Sequence, residues 1–209
     1  MTKTNKQEKI SSPQTLKLTS QNDNVRSNPR LIIVLGYTNT GKSTFIRQLI
    51  NRYVLSRPRV LIVTPHDCEF TDIASVDTTE RNWRLFNGIR RIVTDDKILE
   101  TVSGIKPYQN GLLVFDDCRC YLDSATDKEL HKLFISRKQR GLDIIAAGHG
   151  FTEVPPKFFT FASDIVLFKT NDNILRRKNV LRNFEECAEV QKRVNAAKDF
   201  HSFEIIKLL

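Results

Sequence analysis

Short apolar runs punctuate the chain from residue 31 onward. Leu31-Ile-Ile-Val-Leu35, Val60-Leu-Ile-Val63, Leu112-Leu-Val-Phe115, Asp143-Ile-Ile-Ala-Ala147 and Ile165-Val-Leu-Phe168 are almost free of polar interruption. They do not alternate, and such runs are the mark of strands covered on both faces. Helical spacing lies between them. Residues 42–54 set Phe45, Leu49 and Tyr53 on one stripe, and residues 124–139 run from a Ser124-Ala-Thr-Asp127 start through Leu130, Leu133 and Phe134. A further helix is expected near 184–199, and Glu204-Ile-Ile-Lys-Leu-Leu209 reads as a terminal edge strand. Strands alternating with helices predict βαβ units and a mainly parallel sheet. The fold class expected for residues 30–209 is therefore a three-layer α/β domain. Residues 1–29 are rich in Ser, Thr, Asn, Gln and Lys with almost no apolar period, and read as a flexible basic arm.

Charge adds a partner class. Lys and Arg number 33 against 24 acids in 209 residues, a net charge of +9. Residues 1–30 hold six bases and two acids, so +4 lies in the arm and +5 in the remainder. An excess of this size suits an anionic polymer, of which nucleic acid is the commonest. No apolar run approaches the ~20 residues that span a bilayer. The opening MTKTNKQEKISS lacks an apolar signal core. A soluble, intracellular protein is expected. Cys68, Cys118, Cys120 and Cys187 match no zinc framework and read as packing or loop residues.

The chemistry starts at the end of the first apolar run. Gly36-Tyr37-Thr38-Asn39-Thr40-Gly41-Lys42-Ser43 fits G-x-x-x-x-G-K-[ST], follows a strand and opens a helix that continues through Thr44. That context is what the phosphate loop requires. The glycines let successive backbone N–H groups turn inward, and the helix N-terminus adds positive field. Lys42 is placed for the β- and γ-phosphates of ATP, and the Ser43 hydroxyl for Mg²⁺. A second element, Leu112-Leu-Val-Phe-Asp116-Asp117, ends a strand in adjacent carboxylates. Asp116 is expected to hold the magnesium, and Asp117 to orient and deprotonate an attacking water. This pairing favours ATP hydrolysis. A guanine-specific site is excluded: Phe168-Lys-Thr-Asn-Asp172 is not N-K-x-D, and Asp116 is followed by Asp-Cys-Arg rather than by a D-x-x-G switch.

Residues 134–168 narrow the reading. A basic helix end, Ser136-Arg137-Lys138-Gln139-Arg140-Gly141, leads into a strand, then a polar turn Gly148-His149-Gly150, then Glu153-Val154-Pro155 and another strand. In this order of motifs the chain resembles the HerA/FtsK-type ATPases, especially the compact genome-packaging ATPases of viruses and phages and the related Zot-like assembly proteins. The resemblance covers about residues 31–170. It implies a RecA/FtsK-like sheet with an additional strand, and a homo-oligomeric ring that moves DNA. Capsid or vertex proteins would be partners, in the host cytoplasm or the virion. His149 falls where that family usually has a Gln sensing the γ-phosphate, and Asp117 where many members have Glu. Arg137 and Arg140 become candidate fingers acting on a neighbour's nucleotide.

Two further basic clusters, Arg176-Arg177-Lys178 with Arg182, and Arg81, Arg84, Arg90 and Arg91 with Trp83 and Phe86 interleaved, suit either phosphate contact or an ordinary charged surface. For the two aromatics, core packing is the safer expectation. The function implied is an ATP-hydrolysing DNA translocase. A P-loop small-molecule kinase and a nucleotide-gated assembly protein are the alternatives.

Overall fold

A computed structural model describes residues 28–208. The expected arm at 1–29 falls almost wholly outside the described residues. Five parallel-strand runs appear where the apolar pattern puts them: β1 (Leu31–Leu35), β2 (Arg59–Thr64), β4 (Gly111–Phe115), β5 (Leu142–Gly148) and β6 (Asp164–Phe168). The sheet has seven strands in the order β3-β2-β4-β5-β1-β6-β7. All pairings are parallel except that of β6 with β7 (Phe203–Lys207), which is antiparallel and closes one edge. β5 stands between β1 and β4, so an additional strand separates the phosphate loop from the strand of the acid pair. The fold is a three-layer P-loop NTPase of the additional-strand type.

The strands alternate in a way the sequence hides. Leu31, Ile33 and Leu35 face one core, and Ile32 and Val34 the other. Every residue of β1 is fully buried, so both faces select apolar side chains and the periodicity disappears. α1 (Lys42–Ser56) covers one face through Ile46, Leu49, Ile50 and Tyr53, packed on Ile32, Val34, Ile62 and Val114. The other face carries α3 (Ser124–Ser136), α4 (Pro156–Phe161) and α5 (Phe184–Ala196), which supply Leu130, Phe134, Phe158, Phe159 and Val190 to the larger core. α3 starts where Asp123 accepts from the backbone N–H groups of Ala125 and Thr126, and it stops three residues before the expected end.

Three elements escaped the sequence reading: the six-residue α4, β3 and α2. β3 (Gly88–Val93) is the other edge strand, and only Ile92 of its six residues is buried. Its Arg90 and Arg91 belong to the basic cluster that suits either phosphate contact or an ordinary charged surface. α2 (Ile98–Gly104) has seven residues and no side-chain cap. Trp83 packs parallel to Tyr108, their ring centres 6.4 Å apart, and Phe86 does so at 6.0 Å. Trp83 is a core residue, and the partly buried Phe86 packs against the same core. Among the described residues no helix is long and apolar enough to cross a membrane.

Candidate nucleotide site

Parallel strands put their carboxyl ends on one edge of the sheet, and ligands of open α/β sheets gather there. β1 delivers the phosphate loop to that edge and β4 delivers the acids. The loop is held by its own atoms. Thr40 is fully buried and its hydroxyl donates to the Tyr37 carbonyl over 2.8 Å, while the Tyr37 N–H donates to Lys169 over 2.9 Å. Asn39 and Gly41 are left-handed, at φ 66° and 96°. A side chain at Gly36 would place its Cβ 2.4 Å from Cβ of Phe168, so only glycine lets the loop pass this close to β6. Lys42 donates to the Tyr37 carbonyl over 2.6 Å. Burial pushes its ammonium down to about 8, although Asp116 and Asp117 pull the other way.

Asp116 and Asp117 meet different partners. β4 ends at Phe115, and Asp117 takes a left-handed conformation at φ 42°, ψ 71° that opens a short 3-10 turn over Cys118–Tyr121. A non-glycine residue held there stores strain of about 1–3 kcal/mol. Asp116 points into the site beneath Thr64, whose hydroxyl lies 3.3 Å from Oδ2. Burial first, and Glu69 second, push its carboxyl up to about 6. Asp117 is instead forked by Arg119, with Nε to Oδ1 at 2.9 Å and Nη2 to Oδ2 at 2.8 Å, and this holds its carboxyl below the usual range. Arg119 also lies 3.7 Å from Glu153.

Lys42, Asp116 and Asp117 line a cavity of about 530 Å³ with Thr38, Asn39, Ser43, Thr44, Gly148 and His149. Desolvation and the nearby Lys42 charge lower the His149 imidazole, so it stays neutral there. Four residues at or beside the cavity had no sequence signal: His66 and Glu69 from the segment after β2, Arg119 after the acids, and His201 just before β7. Nothing in a motif points at His201, 160 positions after the loop glycine whose added Cβ its Nδ1 would approach to 3.4 Å. Antiparallel pairing of β7 with β6 puts it there.

A cation is implied by the phosphate-loop fold, and the donor set fits magnesium. A buried carboxylate that resists ionisation gains most from a nearby divalent charge, and magnesium keeps waters and needs only one or two protein ligands. Asp116 and the Ser43 hydroxyl would hold it.

The arginine pair separates. Arg137 is 5% exposed, donates to the carbonyls of Phe134 (3.1 Å) and Phe161 (3.3 Å), and stacks over the Phe161 ring. Its guanidinium is thus engaged within its own chain, unlike the exposed donor expected of a residue that acts on a neighbour's nucleotide. Arg140 is half-buried, at the end of the sheet away from the phosphate loop, and lines a second cavity with Arg59 and Arg84. In the later basic cluster, Arg177 is likewise internal, donating to Phe151, Thr152 and Val154 carbonyls, whereas Arg176, Lys178 and Arg182 are exposed.

No protein-family model matches the sequence, and no curated protein matches it significantly. Solved structures do. The genome packaging NTPase B204 from Sulfolobus turreted icosahedral virus 2, in complex with ATP-gammaS, superposes with a TM-score of 0.63 at 17% identity, over 87% of this chain and 93% of that one. B204, the DNA-packaging ATPase from Sulfolobus turreted icosahedral virus, gives 0.61 at 15% identity over 87% and 99%. EccC ATPases 2 and 3 from Thermomonospora curvata give 0.50 at 18% identity, over 70% of this chain and 31% of that one. At such identities the likeness is one of fold, and the fold it establishes over nearly all the described residues is that of the P-loop NTPases.

Proposed function

We propose that this chain is a magnesium-dependent ATPase that translocates DNA, of the kind that packages a viral or phage genome. The observation that carries the reading is the convergence of Lys42, Ser43, Asp116 and Asp117 on one cavity at the carboxyl edge of the sheet. The loop N–H groups and Lys42 bind the β- and γ-phosphates. Magnesium, when bound at Ser43 and Asp116, supplies charge neutralisation on the phosphate oxygens. Asp117 orients a water and takes its proton as the water oxygen bonds to the γ-phosphorus and the bond to the ADP oxygen breaks. Neutral His149 donates one hydrogen bond toward the γ-phosphate.

Translocation is supported by two further facts. Solved structures similar to the chain over 87% of its length include proteins described as a genome packaging NTPase and a DNA-packaging ATPase. The chain is also basic, at +9. A homo-oligomeric ring with Arg140 as the trans-acting finger, and capsid or vertex proteins as partners, completes the proposal. The test is phosphate release with and without DNA at two salt concentrations. Stimulation by DNA that fades with salt supports the motor. Transfer of the phosphoryl group to a metabolite means a kinase, and no turnover means a nucleotide-gated assembly protein.

A further inference from the structure

The cavity has a direction. Its acidic end lies toward β4 and β2, where Asp116, Asp117, His66 and Glu69 gather. The terminal phosphate and its cation belong at that end. β1 lies beyond β5, and past it come β6 and β7, so the nucleoside half of a bound nucleotide leaves on the β6–β7 side. What stands there is the turn before β7. Phe203 pairs with Phe168 across the β6–β7 ladder, which brings residues 197–202 to the same edge as the phosphate loop. His201 lines the cavity with Gly41 and Thr44. Phe200 sits edge-on to it at 5.9 Å and is 47% exposed, one of few large apolar side chains left open. Phe45, Phe168 and Phe203 pack together at 5.0–5.9 Å, and both Phe168 and His201 approach Gly41.

We infer that His201 and Phe200 form the seat for the nucleobase, an assignment that rests on the nucleotide-site reading above. The ligand class is a nucleoside triphosphate recognised at its base by planar contact. In the same turn the His201 backbone N–H donates to Oδ1 of Asp199 over 2.9 Å, and the aromatic pair offers flat surface to a base. Recognition by stacking is tolerant of base identity, because every base has a π-face. ATP and GTP therefore bind within a few-fold of each other, and pyrimidine nucleotides more weakly for their smaller rings.

The test uses the full-length protein at equilibrium, without turnover, and compares Mg-ATP with Mg-tripolyphosphate, which has the phosphates but no base. Phe200→Ala and His201→Ala are each expected to weaken ATP about tenfold and to leave tripolyphosphate within twofold, from the usual size of a base–aromatic contact. His201→Phe, which keeps a ring, should retain most of the ATP affinity. The inference is overturned if both alanine variants bind ATP as wild type does. It is equally overturned if tripolyphosphate weakens in parallel, since the turn then only supports the loop. Wild-type protein that binds neither compound defeats the nucleotide-site reading itself, and the seat with it.

Discussion

Lys42 and Asp116 oppose each other in charge yet suffer the same burial. The ammonium is pushed down to about 8 and the carboxyl up to about 6. Lys42 must be protonated to hold phosphate and Asp116 ionised to hold the cation. Mg-ATP affinity should therefore fall as pH drops through about 6 and again as it rises through about 8. Titrating binding from about pH 5 to about pH 9.5 checks both limbs, and Lys42→Arg, whose guanidinium does not titrate in this range, should remove the upper one. Lys42→Ala should abolish turnover and strongly weaken nucleotide binding. Asp117→Asn should still bind Mg-ATP while hydrolysing it poorly.

Asp116 also predicts a stability effect. Its folded-state value lies above the ordinary 3.8, so wild-type stability falls as pH rises from about 4 to about 6 and stays lower above that. Asp116→Asn should raise Tm in magnesium-free buffer at about pH 7.5, with the gain vanishing near pH 4. No gain at neutral pH would mean that the carboxylate is well solvated. Arg119 tests the other acid. Its fork engages both oxygens of Asp117, which must be released to grip a water. The guanidinium is half-exposed, and pairs of that kind are worth about 0.2–1 kcal/mol. Arg119→Ala should raise basal turnover by no more than about fivefold, with ATP affinity unchanged. A fall in turnover would instead make Arg119 part of the catalytic machinery.

At the scale of elements, the phosphate loop is shaped by the strand beside it. Gly36 touches Phe168 of β6, with Thr40 below. Gly36→Ala should cost about 1–3 kcal/mol by overpacking against a backbone that cannot retreat, and should weaken nucleotide binding with it. Thermal unfolding with and without Mg-ATP measures both. The helix–strand texture made most elements readable because each buried strand is an unbroken apolar run. β3, α2 and the six-residue α4 were not readable. An edge strand meets solvent along one side and tolerates arginines, and a seven-residue helix has too few turns to show a period.

At the scale of the whole molecule, the two arginines before β5 make opposite predictions. Arg137→Ala should lower Tm, since it empties a buried position that ties α3 to α4, and turnover per folded molecule should change little. Arg140→Ala should fold normally, bind ATP and be nearly inactive if it acts on a neighbour's site. A finger can be worth about 10³–10⁵ in rate. Mixing Arg140→Ala with Lys42→Ala subunits should recover activity, because the intact loop of one then meets the intact arginine of the other. Turnover per site that is independent of protein concentration, with no recovery in any mixture, would remove the trans-acting finger.

The sequence by itself determined the layers, the five buried parallel strands, the helix after the phosphate loop and the one after the acid pair, and those two motifs themselves. These are local: a glycine spacing, an apolar run and a helix start are each written in fewer than a dozen adjacent residues. The tertiary structure decided the rest. It buried Arg137 against carbonyls of its own chain, gave Asp117 a left-handed backbone, and set Arg119 against its carboxylate. It brought His66, Glu69 and His201 to the cavity from the segments after β2 and before β7. Such residues carry no motif because their position is set by strand pairing across the sheet, a long-range property that no short stretch of chain encodes.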